Sequence, residues 1–214
     1  MYTALILCGG NSTRSRLDYN KVFYEVNGKP IIQYAIERFQ NDVDCEAIVI
    51  VAKEVDFSEM RALSKNIELV LGGKRRQDSA RLGLKHVHSD YVLIHDGSRP
   101  YFSEESLARL KAKLKEVKSV SLGMPIIDTV KRVNQDIVIG DILREGLMSI
   151  QTPQGFLTKT IQEAHNIDDG KDYTCDASLL KARLNIETYI VKGDRMNIKF
   201  TTPEDRPLME MILS

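Results

Sequence analysis

Apolar residues recur along this chain in two alternating periods. Ala4-Leu5-Ile6-Leu7, Ala47 to Ala52 and Tyr91 to Ile94 are short continuous apolar runs, and Ile67 to Leu71 and Val120 to Ile126 are mainly apolar ones. Their length and β-branching suit strands buried on both faces. Between them the spacing changes. Ile32, Ala35, Ile36 and Phe39 fall at i, i+3, i+4 and i+7 after Pro30, a residue suited to the first turn of a helix. Phe57 to Leu63 reads as a short helix, and Ala80, Leu84 and Val87 share one face of another. Leu107, Leu110, Leu114 and Val117 mark a further helix, with Ser103 placed to cap it before Glu104 and Glu105. Strands alternating with helices predict an α/β fold of Rossmann-like kind, a mainly parallel sheet with helices on both faces. In such sheets the ligand crevice lies outside the carboxyl ends of the strands. Gly9-Gly10, Gly72-Gly73 and Asp96 each follow a predicted strand directly, so they converge on that edge.

The alternation breaks at residues 127–147. Thr129 to Val133 and Ile137 to Ile139 read as two short strands about Asn134-Gln135-Asp136. An isolated hairpin is marginal in water, so this one is expected to pack against something, either its own domain or another copy. Beyond Gln151, Thr158 to His165 and Asp176 to Leu184 read as helices, and Glu187 to Val191 and Ile198 to Phe200 as strands. Thr202 and Pro203 open a final helix, and Pro207 predicts a kink in it or a late start.

Length and composition narrow the function. A chain of 214 residues makes one domain, 1–214, the default, with room for a full core. Thirty basic residues balance thirty acidic ones, and a general nucleic-acid binder would carry a basic excess. A small anionic ligand needs only a local basic site, which Lys74-Arg75-Arg76 could supply. Three cysteines, Cys8, Cys45 and Cys175, lack C-x-x-C spacing and argue against a disulfide framework or zinc site. No run approaches the roughly 20 apolar residues of a membrane span, and Met1 leads straight into a strand. A cytoplasmic protein is expected.

The densest chemistry lies between residues 7 and 21. The turn at Gly9 and Gly10 permits close backbone approach to a ligand, and successive free N–H groups there suit phosphates. Arg14, Arg16 and Lys21 add positive charge. Neither a Walker A loop nor the G-x-G-x-x-G dinucleotide fingerprint is present, which disfavours NAD and FAD enzymes.

Leu7 to Arg14, Asn20-Lys21, Gly72-Gly73, His95-Asp96-Gly97-Ser98-Arg99-Pro100, Asp128-Thr129, Gln151-Thr152-Pro153-Gln154 and Asn197-Ile198-Lys199 occur in one order. Together they resemble the 2-C-methyl-D-erythritol 4-phosphate cytidylyltransferases of the non-mevalonate isoprenoid pathway, over nearly the whole chain. The ribitol 5-phosphate cytidylyltransferases share most of these motifs. The resemblance implies a nucleotidyltransferase fold and a homodimer in which the 127–147 arm embraces a second subunit. It also implies magnesium-dependent transfer of a cytidylyl group from CTP to a polyol phosphate.

By matching position, Arg14 and Lys21 resemble the pair that stabilises the pentavalent phosphorus. Cys8, Gly9, Gly10 and Ser12 would line the triphosphate, and Gly72, Gly73 and Ser79 the cytosine and ribose. Asp96 resembles the Mg²⁺ ligand; one carboxylate is enough for an ion that also takes phosphate oxygens and waters. Arg99, Thr129, Arg144, Thr152 and Lys199 would hold the acceptor, with Thr129 and Arg144 coming from the partner's arm. Lys199 would also face the nucleotide. Ser12 stands where the family often has glycine, Asn20 where it often has proline, and Cys175 where an acidic residue is common. A silent nucleotide-binding module is a further reading, disfavoured because mere binding would not need Arg14, Lys21 and Asp96 together.

Overall fold

The computed structural model describes residues 1–10 and 15–214. Its centre is β1 (Tyr2–Leu7), flanked in parallel by β4 (Cys45–Ala52) and β6 (Tyr91–Asp96). Beyond β4 lies β5 (Glu68–Leu71), also parallel. On the other side β6 pairs antiparallel with β10 (Met148–Leu157), which pairs antiparallel with β7 (Ser119–Pro125). The edge strand β11 (Tyr189–Lys192) runs parallel to β7. The seven-stranded order is β11-β7-β10-β6-β1-β4-β5. The sheet is therefore mainly parallel, as the alternation predicts.

Alternate residues along each strand enter two cores, which is why the strands read as unbroken apolar runs. Ala4 and Ile6 of β1 pack with Ile32, Ile36 and Phe39 of α1 (Ile31–Gln40), Met60 of α2 (Phe57–Leu63) and Leu107, Leu110 and Leu114 of α4 (Glu104–Leu114). Leu5, on the opposite face, packs with Leu84 of α3 (Arg76–Leu84), Ile161 and Ala164 of α5 (Thr158–Asn166), and Leu179 and Leu180 of α6 (Asp176–Leu184). A third cluster joins Val26, Ile31 and Phe200 to Met209 and Leu213 of α7 (Arg206–Leu213).

Local signals hold in detail. The Ser103 side chain accepts the Ser106 N–H at the head of α4, 3.3 Å away. Pro30 sits one residue earlier than expected, as the extended N-cap of α1, and is paired in a small ribbon of β2 (Glu25–Val26) and β3 (Lys29–Pro30). The last helix starts late: a 3-10 turn at Pro203–Asp205 precedes α7, so Pro207 falls in the helix's first turn, where no hydrogen bond is lost.

Two expectations need correction. Nothing in the sequence reading placed a strand at 148–157, yet β10 lies near the sheet's centre. Pro153 and Gly155 argue against a central strand. The register with β7 shifts between Gln151 and Gln154, so Pro153 falls in a bulge where its missing N–H breaks no ladder bond. Gly155 admits α4: a side chain there would meet Leu114, Leu110 and Leu93 at 2.8 to 3.0 Å. Ile198 to Phe200, expected as a strand, joins no sheet. Its segment is held by side-chain amides instead. Gln151 donates to the carbonyls of Asp194 and Asn197, Asn197 donates to the carbonyl of Thr152, and the Phe200 N–H donates to Ser98.

The predicted hairpin exists. β8 (Val130–Asn134) and β9 (Ile137–Ile142) form a separate two-stranded sheet. It displays Ile137, Val138, Ile139 and Leu143 to solvent, Leu143 at 81% exposure.

Candidate active site

The chain passes from β5 on one side of β1 to β6 on the other, so the carboxyl ends of β1, β5 and β6 open a crevice at the topological switch point. Register fixes its floor. Leu7 lies opposite both Asp96 and Val51, the Gly97 N–H donates to the Leu7 carbonyl, and the Gly72 N–H donates to Ala52. The loops after the three strands therefore start level with one another. They enclose a cleft of about 650 Å³.

That cleft gathers most of the residues singled out from sequence. Cys8, Gly9, Gly10, Lys21, Gly72, Gly73, Ser79, Asp96 and Lys199 all line it. Ser12 and Arg14 lie outside the described residues. Thr129 and Arg144 belong to the hairpin segment and do not line the cleft of their own chain. Arg99 and Thr152 lie behind Asp96. Arg99 donates to the Asn197 carbonyl at 2.7 Å, with its Nε 4.0 Å from Asp96. The Thr152 hydroxyl accepts the Asp96 N–H at 3.0 Å.

Each wall has a local reason for its shape. A side chain on Gly73 would meet the Asp78 Cβ at 2.5 Å, so glycine is needed for α3 to begin where it does. The Ser79 hydroxyl accepts the Gly73 N–H at 3.1 Å and pins this turn. On the facing wall, Asn20 donates to the Cys8 carbonyl at 2.7 Å and to Asp56 at 2.8 Å, while its oxygen caps the 3-10 turn Lys21–Phe23. Lys21 is thereby presented from a turn tied to the end of β1.

The molecule is neutral overall, yet among the described residues Lys21, Lys53, Lys74, Arg75, Arg76 and Lys199 line the cleft against Glu54 and Asp96. Asp96 is the centre of this field. Its Oδ2 accepts from Lys199 Nζ at 2.7 Å and its Oδ1 from Arg76 Nε at 3.3 Å. Burial alone would raise its pKa, but the charges of Arg76, Lys199 and Arg99 overcome that and hold the carboxyl well below its usual range. It is an anion at any physiological pH. His95 does not compete for that role. Burial lowers its pKa to about 4, and its ring is occupied by the Arg99 carbonyl and the Thr152 hydroxyl.

Arg76 was legible only as one of a basic triplet. The structure separates the three. Arg75 pairs with Asp78 and the exposed Asp172, whereas Arg76 pairs with Asp96 and the buried Asp176. No spacing signal distinguishes adjacent arginines at a helix start. Among the described residues, no group of three or more His, Cys, Asp or Glu is clustered for a metal. A cation here would rest on Asp96 and on groups brought by a ligand. The cleft can thus bind a polyanion and shield its charge.

Comparison with known proteins agrees with this geometry. The family model described as IspD, 2-C-methyl-D-erythritol 4-phosphate cytidylyltransferase, matches residues 2–214. A protein of that name from Halalkalibacterium halodurans is 37% identical, covering 100% of this chain and 97% of the relative. One from Bacillus cytotoxicus is 36% identical, covering 100% and 98%. The crystal structure of 4-diphosphocytidyl-2C-methyl-D-erythritol synthase from Anaerococcus prevotii superposes with a TM-score of 0.86 at 29% identity, covering 99% of this chain and 95% of that one. The Thermus thermophilus 2-C-methyl-D-erythritol 4-phosphate cytidylyltransferase, 24% identical with a TM-score of 0.85 and covering 98% and 97%, shares the fold. A family match across residues 2–214, together with relatives above one-third identity end to end, places this chain in the 2-C-methyl-D-erythritol 4-phosphate cytidylyltransferase family.

Proposed function

We propose that this chain transfers the cytidylyl group of CTP to 2-C-methyl-D-erythritol 4-phosphate, giving CDP-methylerythritol and pyrophosphate. The observation that carries the reading is a cationic cleft at the switch point of a sheet whose whole chain matches this family. A phosphate oxygen of the acceptor attacks the α-phosphorus of CTP; the new P–O bond forms as the bond to pyrophosphate breaks. The nucleophile is already an anion, so no dedicated base is required. The protein's task is to hold two anions together and to stabilise charge gathering at phosphorus.

In this reading the N–H groups at Gly9 and Gly10 cradle the triphosphate with Cys8 and Ser12. Gly72, Gly73 and Ser79 receive the nucleoside, and Arg14 and Lys21 stabilise the transition state. Arg99, Thr152 and Lys199 hold the acceptor, with Thr129 and Arg144 reaching in from a second copy. Asp96 suits Mg²⁺: it is ionised, faces the cleft and is the kind of lone carboxylate this metal takes beside substrate phosphates. The ion, held by Asp96, would supply positive charge to offset that of the phosphates. No helix among the described residues is long and apolar enough to cross a membrane, and the reading places the enzyme in the cytoplasm with its soluble substrates.

The test is pyrophosphate release from CTP and Mg²⁺ with each of two acceptors. Release with methylerythritol phosphate is expected; release with ribitol 5-phosphate alone would assign the sister activity instead. Asp96→Asn is expected to lower that release by about 10²- to 10³-fold. A near wild-type rate at low Mg²⁺ would remove the metal from Asp96.

A further inference from the structure

A chain of polar side chains leads away from the cleft. Arg76 opens α3, Asp96 ends β6, Asp176 opens α6 and His165 lies in the last turn of α5. Arg76 stands between two carboxylates. Its Nε is 3.3 Å from Asp96 Oδ1, and its Nη1 donates to Asp176 Oδ2 at 2.7 Å. The other Asp176 oxygen meets Nε2 of His165 at 3.0 Å. The Asp176 and His165 side chains are 1% and 2% exposed, and neither lines the cleft.

A buried ion pair is weak evidence for stability, because desolvation offsets its attraction and apolar replacements are often as stable. Packing alone therefore gives no reason to sink Asp176 between α3, α5 and α6. The geometry gives one. A guanidinium is a planar fork that matches both oxygens of a single carboxylate. Facing Asp96 alone, Arg76 could turn its Nη1–Nη2 end onto it and take up both oxygens. With Nη1 held by Asp176, that end is engaged; Nε is the nitrogen that bonds Asp96, at Oδ1, and Oδ2 pairs with Lys199.

We propose that Asp176, oriented by His165, is a positioning residue for cytidylyl transfer: it restrains Arg76 to one oxygen of Asp96 and so keeps the other available to the CTP–Mg²⁺ complex. This inference rests on the cytidylyltransferase reading and adds to it two residues that touch no substrate.

The experiment uses the full chain with Asp176→Asn and His165→Leu, His165→Gln as the conservative variant, and Arg76→Gln as a background. Calorimetry with CTP and Mg²⁺ reads binding, pyrophosphate release reads kcat and KM, and ¹⁵N spectra read the Arg76 guanidinium. Asp176→Asn and His165→Leu are expected to weaken CTP binding and lower kcat, each by about tenfold, and to shift the Arg76 resonances. His165→Gln, which keeps an N–H donor toward Asp176, stays near wild type. In the Arg76→Gln background Asp176→Asn adds no further loss, as it must if Asp176 acts through Arg76. Unchanged binding and kcat per folded molecule, even with a lower melting temperature, would reduce the pair to packing and overturn the proposal. So would an equal loss in the Arg76→Gln background. If Asp176→Asn does not fold, the two His165 variants decide. If the wild-type chain releases no pyrophosphate with either acceptor, the functional reading fails by itself, while the Arg76 resonances still test this one.

Discussion

Lys21 shows what a single position can and cannot reveal. Its place eleven residues beyond Gly10 in a basic loop suggested a phosphate contact, and it does line the cleft. Sequence could not show how Asn20 ties its turn to the Cys8 carbonyl and Asp56, because those partners come from the residue after β1 and the residue before α2. A compact ammonium suits a crowded phosphorus centre. If it acts mainly on charge that develops in the transition state, Lys21→Ala should bind CTP–Mg²⁺ nearly as well as wild type in calorimetry. Its kcat should fall by about 10²- to 10³-fold. Lost affinity with normal kcat would make Lys21 a ground-state clamp. His95 offers a different residue-scale test. Burial against Phe39 and Phe102 lowers its pKa from the ordinary 6.5 to about 4, so the unfolded chain binds a proton that the folded chain refuses. Its contribution to stability is present above pH 6.5 and is lost as pH falls from there toward 4, by roughly 3 kcal/mol in all. His95→Gln can keep the bonds to the Arg99 carbonyl and the Thr152 hydroxyl without charging. Urea melts across that range should show a flatter acid limb for the variant; an identical limb would discard His95 as the source.

At the scale of elements, legibility followed the number of buried faces. Strands covered on both sides must be apolar throughout, so β1, β6 and the inner part of β4 were visible as runs, while the edge strand β5 and the serine-bearing β7 gave weaker ones. β10 is equally central but carries buried Gln151, Thr152 and Gln154, whose amides and hydroxyl bond to neighbouring segments. Its polarity serves tertiary contacts that no local pattern encodes. The segment through Lys199 was misread for the converse reason: apolar Ile198 and Phe200 enter a small core beneath α7 without joining a sheet. Helix packing is tight enough to test. In α3, a side chain at Gly83 would meet Leu5 at 2.4 Å and Val51 at 2.6 Å. Gly83→Val should therefore destabilise by about 1–3 kcal/mol through overpacking, despite valine's better helix propensity than glycine. Thermal or denaturant unfolding checks this; equal or greater stability would mean that α3 can shift off the sheet freely.

For the molecule as a whole, neutrality concealed a strongly cationic cleft, because charge balance says nothing of where charges gather in space. It also left the hairpin's destination open. Within one chain Lys21 lies in the cleft, whereas Arg144 lies just beyond β9, held to the Ile127 carbonyl and outside that cleft. The arm exposes Ile137, Val138, Ile139 and Leu143, an apolar surface too large to leave in water on a marginal two-stranded ribbon. A closed two-fold dimer would cover it and bring Thr129 and Arg144 to the partner's site. Sedimentation should then show a dimer, but a dimer alone would not prove that the site is shared. Complementation does. Lys21→Ala and Arg144→Ala should each be nearly inactive alone. When the two are unfolded, mixed in equal amounts and refolded together, half of the dimers are mixed. Each mixed dimer carries both lesions at one site and neither at the other, so about a quarter of wild-type activity should return. No recovery, with exchange of subunits verified by differently tagged chains, would show that Arg144 serves its own protomer or none. Full activity of a monomer would dispose of the shared site altogether.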